Sequence, residues 1–100
     1  MTQSFVCKLE NMEVRMVKEE ELDINGKIFR FLNIHFDDEE GERLIFKDRM
    51  IENKEKYQRG KIGTLKLTIS NSEVIKTAKN GKPYIAEKTT ITIKDFKENE

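Results

Sequence analysis

Six lysines lie within residues 61–88 of this 100-residue sequence, a region that contains only two carboxylates. Ammonium groups spaced along neighbouring segments are suited to contacts with successive phosphates of a nucleic-acid backbone. The alternative is a solvated hairpin whose charges only keep the protein soluble. We favour phosphate binding, and the lysines concerned are Lys61, Lys66, Lys76, Lys79, Lys82 and Lys88.

Three aromatic residues are candidates for stacking against nucleic-acid bases. A flat aromatic face accepts any base, so stacking suits a protein that binds without regard to sequence. Phe29 and Phe31 share one face of an alternating segment and could form an exposed pair; the alternative places Phe31 in the core and Phe29 under a loop. Tyr84 begins a strand beside the basic segment, where stacking and edge packing are both open.

The other reactive side chains form no catalytic or metal-binding pattern. Cys7 is the only cysteine, so it has no partner for a disulfide within the chain, and we expect a buried thiol. His35 has no second histidine or cysteine at ligand spacing, and the acidic run at residues 37–42 lacks the spacing of a calcium loop. Because nucleophile motifs, a P-loop and a dinucleotide fingerprint are also missing, we predict no enzymatic activity, metal or cofactor.

Charge is distributed unevenly although the net charge is zero. Residues 10–42 carry eleven acidic and four basic residues, whereas residues 54–94 carry ten basic and three acidic ones. Zero net charge argues against indiscriminate binding to polyanions, and the asymmetry could create one basic and one acidic face. The sequence has no apolar run of membrane-spanning length and no signal-peptide pattern, so we expect a cytoplasmic protein without membrane contacts.

The first predicted strand and the turn that follows it have clear local signals. Residues 5–17 change the parity of their apolar positions near Glu10 and Asn11, which indicates a β-bulge in a bent strand. Asn25 and Gly26 form a strong hairpin signal, because a type I′ turn needs positive φ at both positions. The chain therefore begins with a β-hairpin.

Two further strands and a helix are predicted next. Residues 27–36 are rich in aromatic and β-branched residues, and residues 43–47 form a short third strand. The apolar period then changes, and residues 49–58 predict a short amphipathic α-helix with Asp48 as its N-cap and Gly60 at its end. Tyr57 is expected to anchor this helix to the core. The residues of the second strand that alternate onto one face are Leu32, Ile34 and Phe36.

Two strands complete the predicted fold. Residues 64–69 alternate regularly and predict a half-buried fourth strand. Residues 70–83 are expected to be a polar, basic connection, residues 84–96 the last strand, and residues 97–100 a frayed end. The expected core residues of these two strands are Leu65, Leu67, Ile69, Ile91 and Ile93.

Three strands, one helix and two strands is the element order of the OB-fold, a small five-stranded barrel. The length of the chain suits one domain over residues 1–100. We therefore predict an all-β, five-stranded OB-fold barrel with one short α-helix between strands 3 and 4. A strand-rich α+β domain with the same element order is the alternative.

The sequence of residues 43–96 resembles the second half of bacterial and phage single-stranded DNA-binding proteins of the OB-fold family. This resemblance implies that Phe46, on the third strand, stacks against a base, while its alternative role is in the core. The tryptophans that the family commonly carries are missing, which favours a phage or plasmid protein over a host replication protein. The similar segments are LIFK at 44–47, YQRGK at 57–61, TLKL at 64–67 and GKPYIAE at 81–87.

The expected function is sequence-tolerant binding of single-stranded DNA in phage or plasmid replication or recombination, with RNA as a second candidate ligand. The expected partners are replication or recombination proteins and further copies of the chain, in a dimer or tetramer. A phage-encoded protein would act in the host cytoplasm. The alternative function is a protein-interaction or structural accessory module of a mobile element, without nucleic-acid binding.

Overall fold

The structure, a computed structural model, describes residues 3–100 and contains five strands and one short 3₁₀ helix in that range. Residues 1 and 2, which the predicted domain includes, lie outside the described residues. The all-β prediction and the order of the strands along the chain are confirmed. The elements are β1 (Gln3–Ile24), β2 (Lys27–Asp37), β3 (Arg43–Asp48), the 3₁₀ helix (Ile51–Lys56), β4 (Ile62–Thr77) and β5 (Pro83–Glu98).

The five strands form one sheet that closes in a ring in the order β1-β2-β3-β5-β4, with β4 pairing back to β1. Neighbouring strands are antiparallel except β3 and β5, which are parallel and pair at Lys47 and Thr92. β1 is long enough to pair with two neighbours: its first half pairs with β4 and its second half pairs with β2. Each strand therefore has an inner face toward the core and an outer face toward solvent.

The predicted bulge in β1 is confirmed. The pairing register with β4 shifts between Leu9 and Met12, and Asn11 at this point has a φ of +56°. A second shift, which the sequence analysis did not predict, lies between Val14 and Met16 in the pairing with β2. The two shifts bend β1 so that it can serve both of its neighbours.

The core contains Leu65 and Leu67 of β4, as predicted, and Leu32, Ile34 and Phe36 of β2, whose buried face the sequence left open. Phe36 lies at its centre, because its ring is 5.6 Å from that of Phe96 and 6.3 Å from those of Phe46 and Tyr57, measured between centroids. Cys7 is half-buried and packs against the same core. The buried apolar residues are Met12, Val14, Leu32, Ile34, Phe36, Tyr57, Leu65, Leu67, Ile93 and Phe96.

The predicted α-helix at residues 49–58 is wrong. The structure has a six-residue 3₁₀ helix, Ile51–Lys56, with no buried residue. Met50 occupies its N-cap position, and its end precedes Gly60 by several residues. The helix stays short because every residue after Ile51 in this segment is polar, so a longer helix would have no apolar face to bury.

Asp48 does not cap this helix but organises the loop around it. Its buried carboxylate accepts hydrogen bonds from the Tyr57 hydroxyl at 2.6 Å, the Asn53 side-chain amide at 3.1 Å and the Met50 backbone N–H at 2.9 Å. These three donors compensate for the burial of the acidic side chain. The expected role of Tyr57 as a core anchor is confirmed, since its side chain is buried.

The predicted connection at residues 70–83 is also wrong, because most of it is strand. β4 continues to Thr77 and β5 starts at Pro83, so that Val74 pairs with Ala86 and Ile75 with Ile85. Past Asn71, β4 no longer pairs with β1. We call residues 72–88 the basic arm, because residues 74–86 contain three lysines and no carboxylate.

The hairpin between β1 and β2 projects in the same way. Its residues 20–31 pair only with each other, since β3 pairs with β2 from Leu32 onward. We call this segment the acidic arm. The predicted Asn25-Gly26 turn is confirmed, with φ of +52° and +84° at these residues. With both arms the molecule measures 54 × 29 × 21 Å.

Two expectations about β5 are wrong. Ile91 is not in the core: it is 43% exposed and lies opposite Ile69 in a row of inner-face residues that are not buried. Lys97 and Glu98 are not frayed, because they belong to β5 and pair with Thr64 and Gly63 of β4. A backbone hydrogen bond from Asn99 to Ile62 at 2.9 Å extends this pairing.

Candidate nucleic-acid interface

The outer face of β2 and β3 brings aromatic and basic side chains together. Because Leu32, Ile34 and Phe36 point inward, the intervening residues of β2 point outward. In β3 the outward residues Ile45 and Lys47 lie directly opposite His35 and Asn33 of β2. The resulting face carries Phe29, Phe31, Asn33, His35, Ile45 and Lys47.

A shallow groove of about 220 Å³ lies at the acidic-arm end of this face. Leu22 of β1 forms one wall, directly opposite Phe29 of β2. Phe29 is 50% exposed, and Phe31 is half-buried beside it. We call this the β2–β3 groove, and the residues that line it are Leu22, Phe29, Arg30, Phe31, Lys47 and Arg49.

The residues that line the groove include three cations and no carboxylate, while Glu20 of β1 lies directly opposite Phe31. Lys47 places its Nζ atom 4.3 Å from the centroid of the Phe31 ring, a cation–π contact. Arg30 forms an ion pair with Glu21, at 3.0 Å between its Nε and a carboxylate oxygen. Lys47 and Arg49 therefore supply most of the positive charge available to a ligand at the two phenylalanines.

At the end of the β2–β3 face that is remote from the acidic arm, Asp37 and two arginines form an ion-pair cluster. Asp37 receives the Nε–H of Arg43 at 2.6 Å and lies 3.3 Å from the Nε of Arg15. The hydrogen bond from Arg43 lowers the pKa of Asp37, and the charges of the two arginines add to this effect. Arg15 also forms an ion pair with Glu13 at 2.8 Å, so two carboxylates largely neutralise the two guanidinium groups.

Phe46 does not lie in the groove. It is opposite Ile34, which is fully buried, so its side chain is on the inner face of β3. Its ring is half-buried and packs against the core beside Phe36. This geometry favours the core role that was the alternative for Phe46, and the stacking role has no structural support.

Tyr84 and two of the predicted lysines share the outer face of the basic arm. Lys76 is directly opposite Tyr84, and Lys88 follows Tyr84 by four residues on the same strand. Tyr84 is 47% exposed. Lys79 and Lys82 lie in the turn at the end of the arm, which a backbone hydrogen bond from Ala78 to Lys82 closes at 2.9 Å.

Lys61 and Lys66 are remote from the β2–β3 groove. Lys66 is on the outer face of β4, between Lys8 of β1 and Asp95 of β5, whereas β2 adjoins only β1 and β3. Lys61 precedes β4, and its carbonyl oxygen accepts a hydrogen bond from Val14. The six predicted lysines are therefore divided among three surfaces.

Sequence reasoning missed four residues of the groove: Leu22, Arg30, Lys47 and Arg49. For Lys47 the signal was conditional, because alternation turns its side chain outward only if Phe46 turns inward. Leu22 could have been found from the Asn25-Gly26 turn, which fixes its pairing with Phe29. For Arg30 and Arg49 the sequence holds no comparable signal.

Other kinds of site would require a cluster of metal ligands, a membrane-spanning helix or a further cavity. Within residues 3–100, no cluster of histidine, cysteine and carboxylate side chains could hold a metal ion. In the same range no helix has the length and apolar character needed to cross a membrane. An open cavity of about 840 Å³ is lined mainly by carboxylates and side-chain amides, including Asn11, Glu13, Asp38 and Glu98.

Comparison of the chain with protein-family models, with curated proteins and with solved structures finds no match.

Proposed function

We propose that this protein binds single-stranded DNA without sequence preference, with the β2–β3 groove as its stacking surface. The observation that carries the proposal is the outward-facing pair of a half-exposed Phe29 and a half-buried Phe31 beside Lys47 and Arg49. Aromatic faces next to unneutralised cations are the combination that binds bases and phosphates of an unpaired strand. RNA presents the same groups and is the second ligand to test.

We further propose that the fold is an OB-fold. The ring order β1-β2-β3-β5-β4, with only β3 and β5 parallel, supports this assignment. In OB-folds, oligonucleotides bind to the strand 2–3 face and to the loops that connect strands 1–2 and 4–5. The groove lies on the corresponding face, and the two arms correspond to the two loops.

On binding, the Phe31 ring would exchange its contact with Lys47 for a contact with a base. A base that stacks on the Phe31 ring displaces the Lys47 ammonium from it, and the flexible lysine side chain can then reach a neighbouring phosphate. A second base stacks on Phe29. Base–aromatic stacking contributes about 1–3 kcal/mol per base, so two positions suffice for binding at micromolar concentrations when phosphate contacts add to them.

The basic arm would extend the binding surface. Its outer face combines Tyr84, a third position for stacking, with Lys76 and Lys88, and its turn adds Lys79 and Lys82. An arm with only one pairing partner per strand can adjust its position to the path of a flexible nucleic acid. We expect these lysines to contribute to affinity and to its salt dependence.

Fluorescence anisotropy tests the proposal. Labelled single-stranded DNA, RNA and duplex DNA are titrated with the protein at salt concentrations from about 50 mM to about 300 mM. The proposal requires salt-sensitive binding of the single strand at micromolar protein and weaker binding of the duplex, whose bases are already stacked. Absence of single-strand binding would refute it.

A matched pair of variants locates the site. Phe29→Ala removes an exposed ring of the groove, and Phe5→Ala removes a ring that is 60% exposed on β1, away from the groove. Only the first substitution should weaken binding. Equal losses in both variants would show that binding is not located in the groove.

A further inference from the structure

The outer face of β5 continues the β2–β3 face. Lys47 of β3 is paired with Thr92 of β5, and directly paired residues point to the same side of a sheet, so Thr92 lies on the outer face beside Lys47. Phe31, whose ring Lys47 contacts, is on that same face. The β2–β3 groove and the outer face of the basic arm, which β5 forms with β4, are therefore parts of one continuous surface.

Hydrogen-bond donors follow β5 from this point into the basic arm. The outward residues of this stretch are Thr92, Thr90, Lys88, Ala86 and Tyr84. Their partners on β4 add three hydroxyl groups and Lys76. We call these five pairs the β4–β5 strip. Hydroxyl and ammonium groups are donors that bind the phosphates and sugars of nucleic acids, so the strip is suited to a nucleic-acid backbone.

Neither carboxylate of the basic arm lies on this strip. Glu73 and Glu87 are directly opposite each other, on the face that also bears Ile75. Because side chains alternate along a strand, that face is the reverse of the one that bears Lys88 and Tyr84. A phosphate backbone that followed the arm would be repelled by the carboxylates on the first face and would meet no carboxylate on the second.

We propose that the single strand bound in the β2–β3 groove continues along the β4–β5 strip. Its phosphates accept hydrogen bonds from Thr92, Thr90 and Lys88, and a base at its far end stacks on Tyr84. At Thr92 the path turns toward β3, away from Lys66 on β4. This path rests on the proposed function and lengthens the binding site, because Tyr84 and Thr92 are about 26 Å apart at about 3.3 Å per residue.

Oligonucleotide length separates the strip from the groove. OB-folds bind about 4–16 nucleotides, so an oligothymidylate of about four nucleotides occupies the groove alone, whereas one of about sixteen also covers the strip. Thr90→Glu places a carboxylate on the strip. Thr89→Glu is the matched control, because it adds the same charge one residue away on the reverse face of β5. Anisotropy at about 150 mM salt, where charges are screened beyond about 8 Å, measures the affinity of both variants for both lengths.

Thr90→Glu should bind the longer strand at least about tenfold more weakly than Thr89→Glu, while their affinities for the shorter strand should agree within about twofold. The reciprocal variant Thr90→Lys should bind the longer strand about threefold more tightly than Thr89→Lys, which keeps the test valid if a glutamate unfolds the arm. Equal affinities within both pairs of variants for the longer strand would refute the path and leave the groove intact. A wild type that binds neither length would refute the proposed function, and the path with it.

Discussion

The Nζ atom of Lys47 lies 4.3 Å from the centroid of the Phe31 ring, on the outer face of neighbouring strands. The register between β2 and β3 accounts for this contact. Lys47 is opposite Asn33, and Phe31 precedes Asn33 by two residues, so it lies on the same face of β2. A cation over an exposed ring contributes about 0.5–1 kcal/mol, little enough for a stacking base to replace it. The contact keeps a cation at a position where a phosphate would arrive together with its base.

Replacing Lys47 by Gln should weaken the binding of every single-stranded sequence to the same extent. Removal of one phosphate contact should also reduce the slope of log affinity against log salt by about 0.7. Anisotropy titrations at several salt concentrations measure both quantities. Lys66→Gln is the matched control, because Lys66 lies on β4, remote from the groove, and this variant should retain the wild-type slope. Equal slopes for the Lys47 variant and the wild type would contradict the proposed contact.

Phe29 and Phe46 should respond in opposite ways to replacement by Ala. Phe29→Ala should cost about 1–3 kcal/mol of binding free energy and leave the free energy of unfolding nearly unchanged, since this ring is half exposed. Phe46→Ala should lower the free energy of unfolding by about 2–3 kcal/mol, because its ring packs beside Phe36. Urea unfolding and anisotropy on the same samples separate the two effects. If Phe46→Ala weakened binding without loss of stability, the stacking role implied by the family resemblance would be restored.

Phe46 also shows where sequence reasoning reaches its limit. Leu44, Ile45 and Phe46 are consecutive apolar residues, so alternation cannot decide which of them face the core. The pairing of β3 with β2 determines the orientation of Phe46, because Phe46 lies opposite Ile34, which is buried. β2 has the same ambiguity, because Leu32, Ile34 and Phe36 form one apolar face and Phe29 and Phe31 make the other face apolar as well. The sequence left open which face is buried, and the closed sheet buries the first of the two.

The β4 side of the basic arm was missed for a related reason. Residues 72–77 hold their two apolar residues, Val74 and Ile75, in adjacent positions, so no alternating pattern marks a strand there. They form a strand because the Asn80-Gly81 turn continues the antiparallel ladder already established by Leu65, Leu67 and Ile69. Alternation thus predicted that β4 exists, whereas the length of β4 depended on its pairing with β5.

Gly63 should not tolerate a side chain. A Cβ atom at this position would lie 2.2 Å from the Lys97 carbonyl oxygen and 2.8 Å from the Glu98 Cα atom. The backbones of β4 and β5 would have to separate, so Gly63→Ala should lower the free energy of unfolding by about 2–3 kcal/mol. Urea unfolding measures this change, and Thr64→Ala, at the adjacent position, is the control that should cost clearly less. A free energy within about 0.5 kcal/mol of the wild-type value for Gly63→Ala would contradict the close approach of the strands.

The buried hydrogen bond between Tyr57 and Asp48 predicts how stability depends on alkaline pH. Burial of Tyr57 raises the pKa of its hydroxyl, and the hydrogen bond to the Asp48 carboxylate at 2.6 Å raises it further. In the unfolded chain this hydroxyl ionises near pH 10. Because the folded-state pKa is the higher one, the contribution of Tyr57 to stability is complete below about pH 10 and is lost as the pH rises above it.

Above about pH 10 the free energy of unfolding of the wild type should therefore fall, relative to that of Tyr57→Phe, by up to about 1.4 kcal/mol per pH unit. Urea unfolding of both proteins from about pH 8 to pH 11.5 measures the difference, in which contributions common to both cancel. The chain has only two tyrosines, so in Tyr84→Phe the absorbance of the tyrosinate ion reports Tyr57 alone. That absorbance should rise together with the loss of β-sheet circular dichroism. Ionisation of Tyr57 while the sheet is still intact would contradict a buried hydroxyl bound to Asp48.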